Sequence, residues 1–155
     1  MRIGDTAPRF RVSALCQGRV RYVDAEHFRG RWTCLTFLPA LQGLDAEFVE
    51  RQAEALACQD LLPLVVEPHD APHQLWRYGL QLSHVTILAD PIGRLHRRFG
   101  LKRASGTKCR SFLIDPDRVI RFQLIHDLTA SGMTATVQVF QACRSLTGVL
   151  EGCQR

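Results

Sequence analysis

Ser111-Phe112-Leu113-Ile114-Asp115-Pro116-Asp117-Arg118-Val119-Ile120-Arg121-Phe122-Gln123-Leu124-Ile125 is the stretch on which the fold turns. Two β-rich apolar runs, 111–114 and 119–125, flank Asp115-Pro116-Asp117, where a proline between two aspartates is strong turn chemistry. The stretch predicts an antiparallel hairpin. After it, Met133, Val137, Phe140 and Cys143 recur at helical spacing, which predicts a helix capped by Thr129 or Ser131.

Before the hairpin, short strands alternate with helical stretches. Val20 to Val23 reads as a weak strand. Thr33 to Leu38 is a strong one, β-branched and apolar, stopped by Pro39. Asp45 to Asp60 is rich in helix formers, with Asp45 placed to cap. Leu61 to Val66 is a buried strand, Pro72 to Tyr78 a short helix opened by proline, and Val85 to Ala89 another strand. Ile92 to Phe99 is a helix that Gly100 ends. Strands separated by helices need crossover connections, so a largely parallel central sheet is expected, with the hairpin as an antiparallel edge. A βαβ half followed by a ββα half is the layout of a thioredoxin-like α/β fold, a central mixed β-sheet flanked by helices.

The 155 residues fit one domain, taken as 1–147 with a tail at 148–155. An apolar content of 46% and a charged content of 23% exclude disorder for the bulk of the chain. No stretch approaches the ~18 consecutive apolar residues of a membrane span, and no apolar run behind Met1 reads as a secretory signal. Six cysteines, Cys16, Cys34, Cys58, Cys109, Cys143 and Cys153, include no C-x-x-C pair. That excludes a thioredoxin-type dithiol and a knuckle-type zinc site, and the default is a cytoplasmic protein with reduced thiols. Net charge is +5, and Arg94, Arg97, Arg98, Lys102, Arg103, Lys108 and Arg110 crowd a segment with no acid between Asp90 and Asp115. Such a cluster suits an anion or nucleic acid, but without interleaved aromatics a solvated face is the favoured reading and nucleic acid the lesser one.

Four segments together are specific. Ile3-Gly4-Asp5-Thr6-Ala7-Pro8-Arg9-Phe10 resembles the G-x-x-A-P-x-F opening of the peroxiredoxins, the alkyl hydroperoxide reductase C and thiol-specific antioxidant (AhpC/TSA) family. Phe28-Arg29-Gly30-Arg31-Trp32-Thr33-Cys34-Leu35-Thr36-Phe37-Leu38-Pro39 is similar to the family's F-R-G-K-W-x-x-L-x-F-x-P strand. Ile87 to Leu95 resembles L-L-A-D-P-x-G-x-L, and Ser111 to Arg121 resembles T-F-I-I-D-P-D-G-V-I-R. The resemblance implies the peroxiredoxin type of thioredoxin fold and a chemistry of thiol peroxidation. A thiolate at a helix start attacks the peroxide O–O bond and becomes a sulfenic acid. No cofactor is implied, because side chains do this chemistry, and a homodimer is the implied assembly.

The family motif runs P-x-x-x-T/S-x-x-C, with a Glu three residues after the Cys. Here Pro39 ends the strand, but anchoring on Glu47 puts Leu44 at the nucleophile and Leu41 at the Thr, and the Pro-to-Glu distance is two residues too short. The thiolate-steadying Arg belongs three residues before Phe112, where Cys109 stands; Arg110 is one step late, and strand alternation sends it to the opposite face. The expected reading is a degenerate member that binds or regulates a protein partner or a small ligand. The first alternative is a thiol oxidoreductase using a relocated cysteine: Cys109, favoured as a thiolate by Lys108 and Arg110, with Cys153 as a resolving partner. The second is anion or nucleic-acid binding through 94–110. Cys34, Cys58 and Cys143 read as packing, and so do Trp32 and Trp76. His69 and His73 read as a solvated helix start rather than metal ligands, because Pro72 breaks a shared helix face.

Overall fold

A computed structural model describes residues 1–38, 43–57, 62–67, 84–102, 108–127 and 129–153. The strands are β1 (Arg11–Cys16), β2 (Arg19–Asp24), β3 (Thr33–Phe37), β4 (Leu62–Glu67), β5 (Thr86–Ala89), β6 (Lys108–Ile114) and β7 (Ile120–Asp127). The helices are α1 (Gly43–Ala57), α2 (Arg94–Arg98) and α3 (Ala130–Cys153), with a 3-10 turn at Ala25–Phe28. One sheet runs β2-β1-β5-β4-β3-β6-β7.

The predicted hairpin forms and is longer than expected at its open end, from Lys108 on one strand to Asp127 on the other. Cys109 pairs with His126, Arg110 with Ile125 and Phe112 with Gln123. The Asp115 carboxylate builds the turn, accepting from the amides of Asp117 (3.0 Å) and Val119 (2.8 Å) and from Arg121 Nε (2.6 Å). The expectation of a largely parallel sheet is corrected. Only β3–β4 and β4–β5 are parallel, because the β1–β2 hairpin joins β5 antiparallel on one side and β6–β7 joins β3 antiparallel on the other.

Strand β1 has no counterpart in the sequence reading. Its Arg-Val-Ser-Ala-Leu-Cys run has weak strand propensity, and its turn is Gln17-Gly18, both with positive φ (49° and 74°), rather than the Asn-Gly signal. Helix α1 starts at Gly43, so Asp45 is its third residue and not its cap; an acid in the first turn still suits the helix dipole. Helix α2 is only five residues long, because Gly93 (φ 69°) holds the chain in a turn until Arg94. Thr129 is the cap of α3, accepting from Gly132 N at 3.1 Å, the N-cap to N3 bond. The tail expected at 148–155 is instead helical through Cys153. The helix predicted at 72–78 lies outside the described residues, with His69, His73, Trp76 and Cys58.

The strand period divides the core between the sheet's two faces. Leu35, Phe37, Phe112 and Ile114 face α2, packing with Leu95 and Phe99. Cys34 and Leu113 face the long helices, packing with Leu56 of α1 and Phe140 of α3. Each fully buried Phe or Leu contributes about 1.5–3 kcal/mol through removal from water.

Candidate functional site

Leu56, near the end of α1, clusters with Cys34 at the start of β3. The helix therefore runs back along β3, and its first turn, with Leu44, lies toward the end of the strand. That is where the family resemblance locates its reactive centre. Of the matching positions, Pro39 and Leu41 lie outside the described residues; Leu44 and Glu47 are placed on the α1 backbone but their side chains are not described.

Below that end of β3, on the same face of the sheet, three polar side chains form a closed chain. Thr36 Oγ1 lies 2.7 Å from Ser111 Oγ, and Ser111 Oγ lies 2.8 Å from His126 Nε2. His126 Nδ1 is 3.0 Å from the carbonyl oxygen of Asp127, to which only an Nδ1–H can donate. His126 Nε2 then accepts from the Ser111 hydroxyl, and Ser111 accepts from Thr36. Cys34 Sγ closes the far end at 3.9 Å from Thr36 Oγ1. All these groups are buried, and Ser111 has no exposed surface, so no substrate reaches the Ser–His pair. The chain satisfies a polar stripe within the core.

Cys109 flanks this stripe, directly across from His126. It is 1% exposed, and burial, with the nearby Asp127 carboxylate, pushes its thiol up to about 12. The expectation that Lys108 and Arg110 favour the thiolate is thereby corrected. The Lys108 ammonium is paired with Asp127 at 2.7 Å, and Arg110 points to the other face, opposite Ile125 and Phe37. Cys34 is raised to about 12 by burial, partly offset by its bond to Thr36. Burial likewise raises Cys143, half-buried on the inner side of α3. Cys153 lies at the last position of α3, its side chain outside those described.

The opposite face holds a cavity of about 430 Å³, lined by Phe37, Leu101 and Ile125 as apolar wall and by Lys102, Lys108 and Arg110 as cations, with His96, Gly100 and Cys109 completing it. His96 is a further functional candidate, one that the sequence alone does not single out. It is 1% exposed, and its Nδ1 lies 2.6 Å from Asp90 Oδ2. Asp90 also accepts from the amides of Leu95 (3.0 Å) and His96 (2.9 Å). Burial acts to raise the Asp90 carboxyl, but the His96 ring, those two amides and the His96 charge outweigh it and hold it below the usual carboxylate range. An ionised Asp90 fixes the proton on Nδ1, which leaves Nε2 without a partner among the described residues. The signal in the sequence was Asp90-Pro91-Ile92-Gly93, a turn that aims an aspartate at the helix start two residues before His96.

Of the remaining basic residues, Arg94, Arg97 and Arg98 form the solvated side of α2. Arg97 donates to the Ile92 carbonyl and Arg98 to that of Arg9, while Arg103 lies outside the described residues. Among the described residues no group of three or more His, Cys, Asp or Glu could hold a metal ion, and no helix is long and apolar enough to cross a membrane.

No family model matches the chain. Among curated proteins it is 27% identical to the peroxiredoxin tpx1 of Schizosaccharomyces pombe over 147 residues, 83% of this chain and 73% of that protein. It is 27% identical to the peroxiredoxin prdx-2 of Caenorhabditis elegans over 158 aligned positions, 90% of this chain and 77% of that one. Among solved structures, a Plasmodium vivax 2-Cys peroxiredoxin in its reduced form superposes with a TM-score of 0.75 at 16% identity, over 94% of this chain and 98% of that one. Mycobacterium tuberculosis AhpC gives 0.73 at 19% identity, over 94% of each chain.

Proposed function

The chain is a peroxiredoxin-like protein of the AhpC/TSA family with a thioredoxin-like fold, and on that premise we propose that it has given up peroxide reduction and acts by binding a small ligand or regulating a protein partner. The observation that carries this reading is the absence of any cysteine between Cys34 and Cys58, the interval that contains the whole of α1. Leu44 occupies the first turn of that helix, and a leucine has no lone pair to attack an O–O bond.

The thiols near the end of β3 do not substitute for it. A relocated nucleophile has to be a thiolate at neutral pH and has to meet peroxide; Cys109 at about 12 and 1% exposed does neither. This weighs against the relocated-thiol alternative at Cys109 and leaves Cys153 as its one remaining candidate. A homodimer and residence in the cytoplasm complete the proposal. The outer edge of β7, the last strand of the sheet, is a place where a second copy can add its own strand.

Peroxide consumption with a dithiol reductant tests the central statement. Turnover no faster than the reductant alone is expected, for hydrogen peroxide and for an organic hydroperoxide. Sustained turnover overturns the reading, and its loss in Cys109→Ser or Cys153→Ser would name the thiol responsible.

A further inference from the structure

We propose that the cavity between α2 and the start of β6 binds a small organic anion, with its apolar body against Phe37, Leu101 and Ile125 and its charged group on Arg110 and Lys102. This names a ligand class for the binding role proposed above and rests on that reading.

Volume, charge and an unmet hydrogen-bonding group point to the same class. At about 430 Å³ the cavity falls within the range of small-molecule sites, roughly 300–1,000 Å³, and exceeds what a bare inorganic ion fills. Its charge has one sign. Lys108 is shared with Asp127, while Lys102 and Arg110 have no carboxylate partner among the described residues. The buried Asp90 behind His96 is already engaged by the His96 ring and two backbone amides. Phe37 and Ile125 give the remaining wall an apolar character that neither a hydrated ion nor a polyanion uses.

The third observation is His96 Nε2. Buried side-chain polar atoms nearly always have a partner, and among the described residues this atom is the exception. It belongs to a residue of the cavity wall, and Asp90 holds its ring from behind. A ring clamped at Nδ1 leaves Nε2 as an acceptor, ready for a ligand O–H or for a bridging water that donates to it and also to the anion. Arg110 supplies the planar fork that carboxylates and phosphates bind in two places at once.

Calorimetric titration of the full chain with phenyl phosphate, inorganic phosphate and a single-stranded oligonucleotide tests the proposal. Phenyl phosphate is expected to saturate one site per chain below about 1 mM, and inorganic phosphate to bind at least about tenfold more weakly. Arg110→Gln and Lys102→Gln lie at partly exposed positions and leave the core alone; each is expected to weaken phenyl phosphate by about tenfold with an unchanged melting temperature. His96→Gln tests the wall residue in the same titration and is expected to lower affinity further. No saturation, equal affinity for the two phosphates, or indifference to both cation variants overturns the proposal. Tighter binding of the oligonucleotide than of phenyl phosphate overturns it in favour of a surface electrostatic role. Peroxide turnover on the same preparation reports on the parent reading alone, so the two can fail separately.

Discussion

Cys109 and Arg110 are neighbours on β6, yet the sheet treats their two faces differently. Toward the long helices, Cys109 is packed beside a closed chain of Thr36, Ser111 and His126 in which every donor has an acceptor. Toward α2, Arg110 stands on the wall of a cationic cavity that includes a histidine with an unmet nitrogen. Among the described residues the first face is closed, with Ser111 fully buried and Cys109 1% exposed. Polar potential has not vanished from this end of the sheet. It lies on the other face, one residue along the same strand.

The largest effect expected is on the core beneath the cavity. Phe112 has no exposed surface and packs against Phe37 and Phe99 at ring distances of 5.9 and 5.2 Å. Phe112→Ala should cost about 3–5 kcal/mol in denaturant unfolding. A loss below about 1 kcal/mol would mean that the cavity side is loosely packed and its geometry not fixed.

Next comes alkaline pH, which reports on the closed face. Cys34 and Cys109 keep their protons to about pH 12 when folded, whereas unfolded thiols release theirs from about pH 8.5. Above the unfolded value the unfolded chain binds fewer protons than the folded one, so stability is complete below it and falls as pH rises toward 12. The slope is about 1.4 kcal/mol per pH unit for each thiol. Cys109→Ala should remove one thiol's share of that slope; an unchanged slope would show that this thiol is open to water.

Smaller effects separate the closed chain from the surface. Ser111→Ala strands His126 Nε2 and Thr36 and should cost about 1–3 kcal/mol, most of it recovered when Thr36→Val and His126→Phe are added. Full additivity of the three would break the description of a connected chain. The smallest effect is at Lys108, whose bridge to Asp127 is more than half exposed on both sides. Lys108→Ala should change stability by less than about 0.5 kcal/mol.

Much of the fold was legible because its signals are local. The β-branched run at 33–37 and the Asp-Pro-Asp turn announce β3 and the hairpin, and Thr129 caps the helix it was expected to cap. Strand β1 was not legible, since its stability comes from pairing with β2 and β5 rather than from its own residues. At the site, strand alternation correctly put Arg110 on the face opposite Cys109. The state of the Cys109 thiol was misjudged, because two adjacent cations suggest a thiolate only if they share its environment. Burial and Asp127 decide it, and both depend on tertiary structure. His96 was passed over for the same reason: six residues separate it from Asp90 in sequence, and only the turn folds the carboxylate onto its ring.

The start of the chain is tied to the far hairpin. Gly4 N donates to Ile120 O (2.8 Å), Ala7 N to Arg118 O (2.7 Å) and Ile120 N to Asp5 O (2.9 Å), while the buried Arg118 guanidinium reaches back to the Ala7 carbonyl. Residues 4–7 therefore have no place to dock until residues 118–120, more than a hundred positions later, have also been made. That order makes the amino-terminal arm one of the last pieces to settle during synthesis. Once settled, its amides should exchange with solvent in step with those of the hairpin, as one cooperative unit built from opposite ends of the sequence.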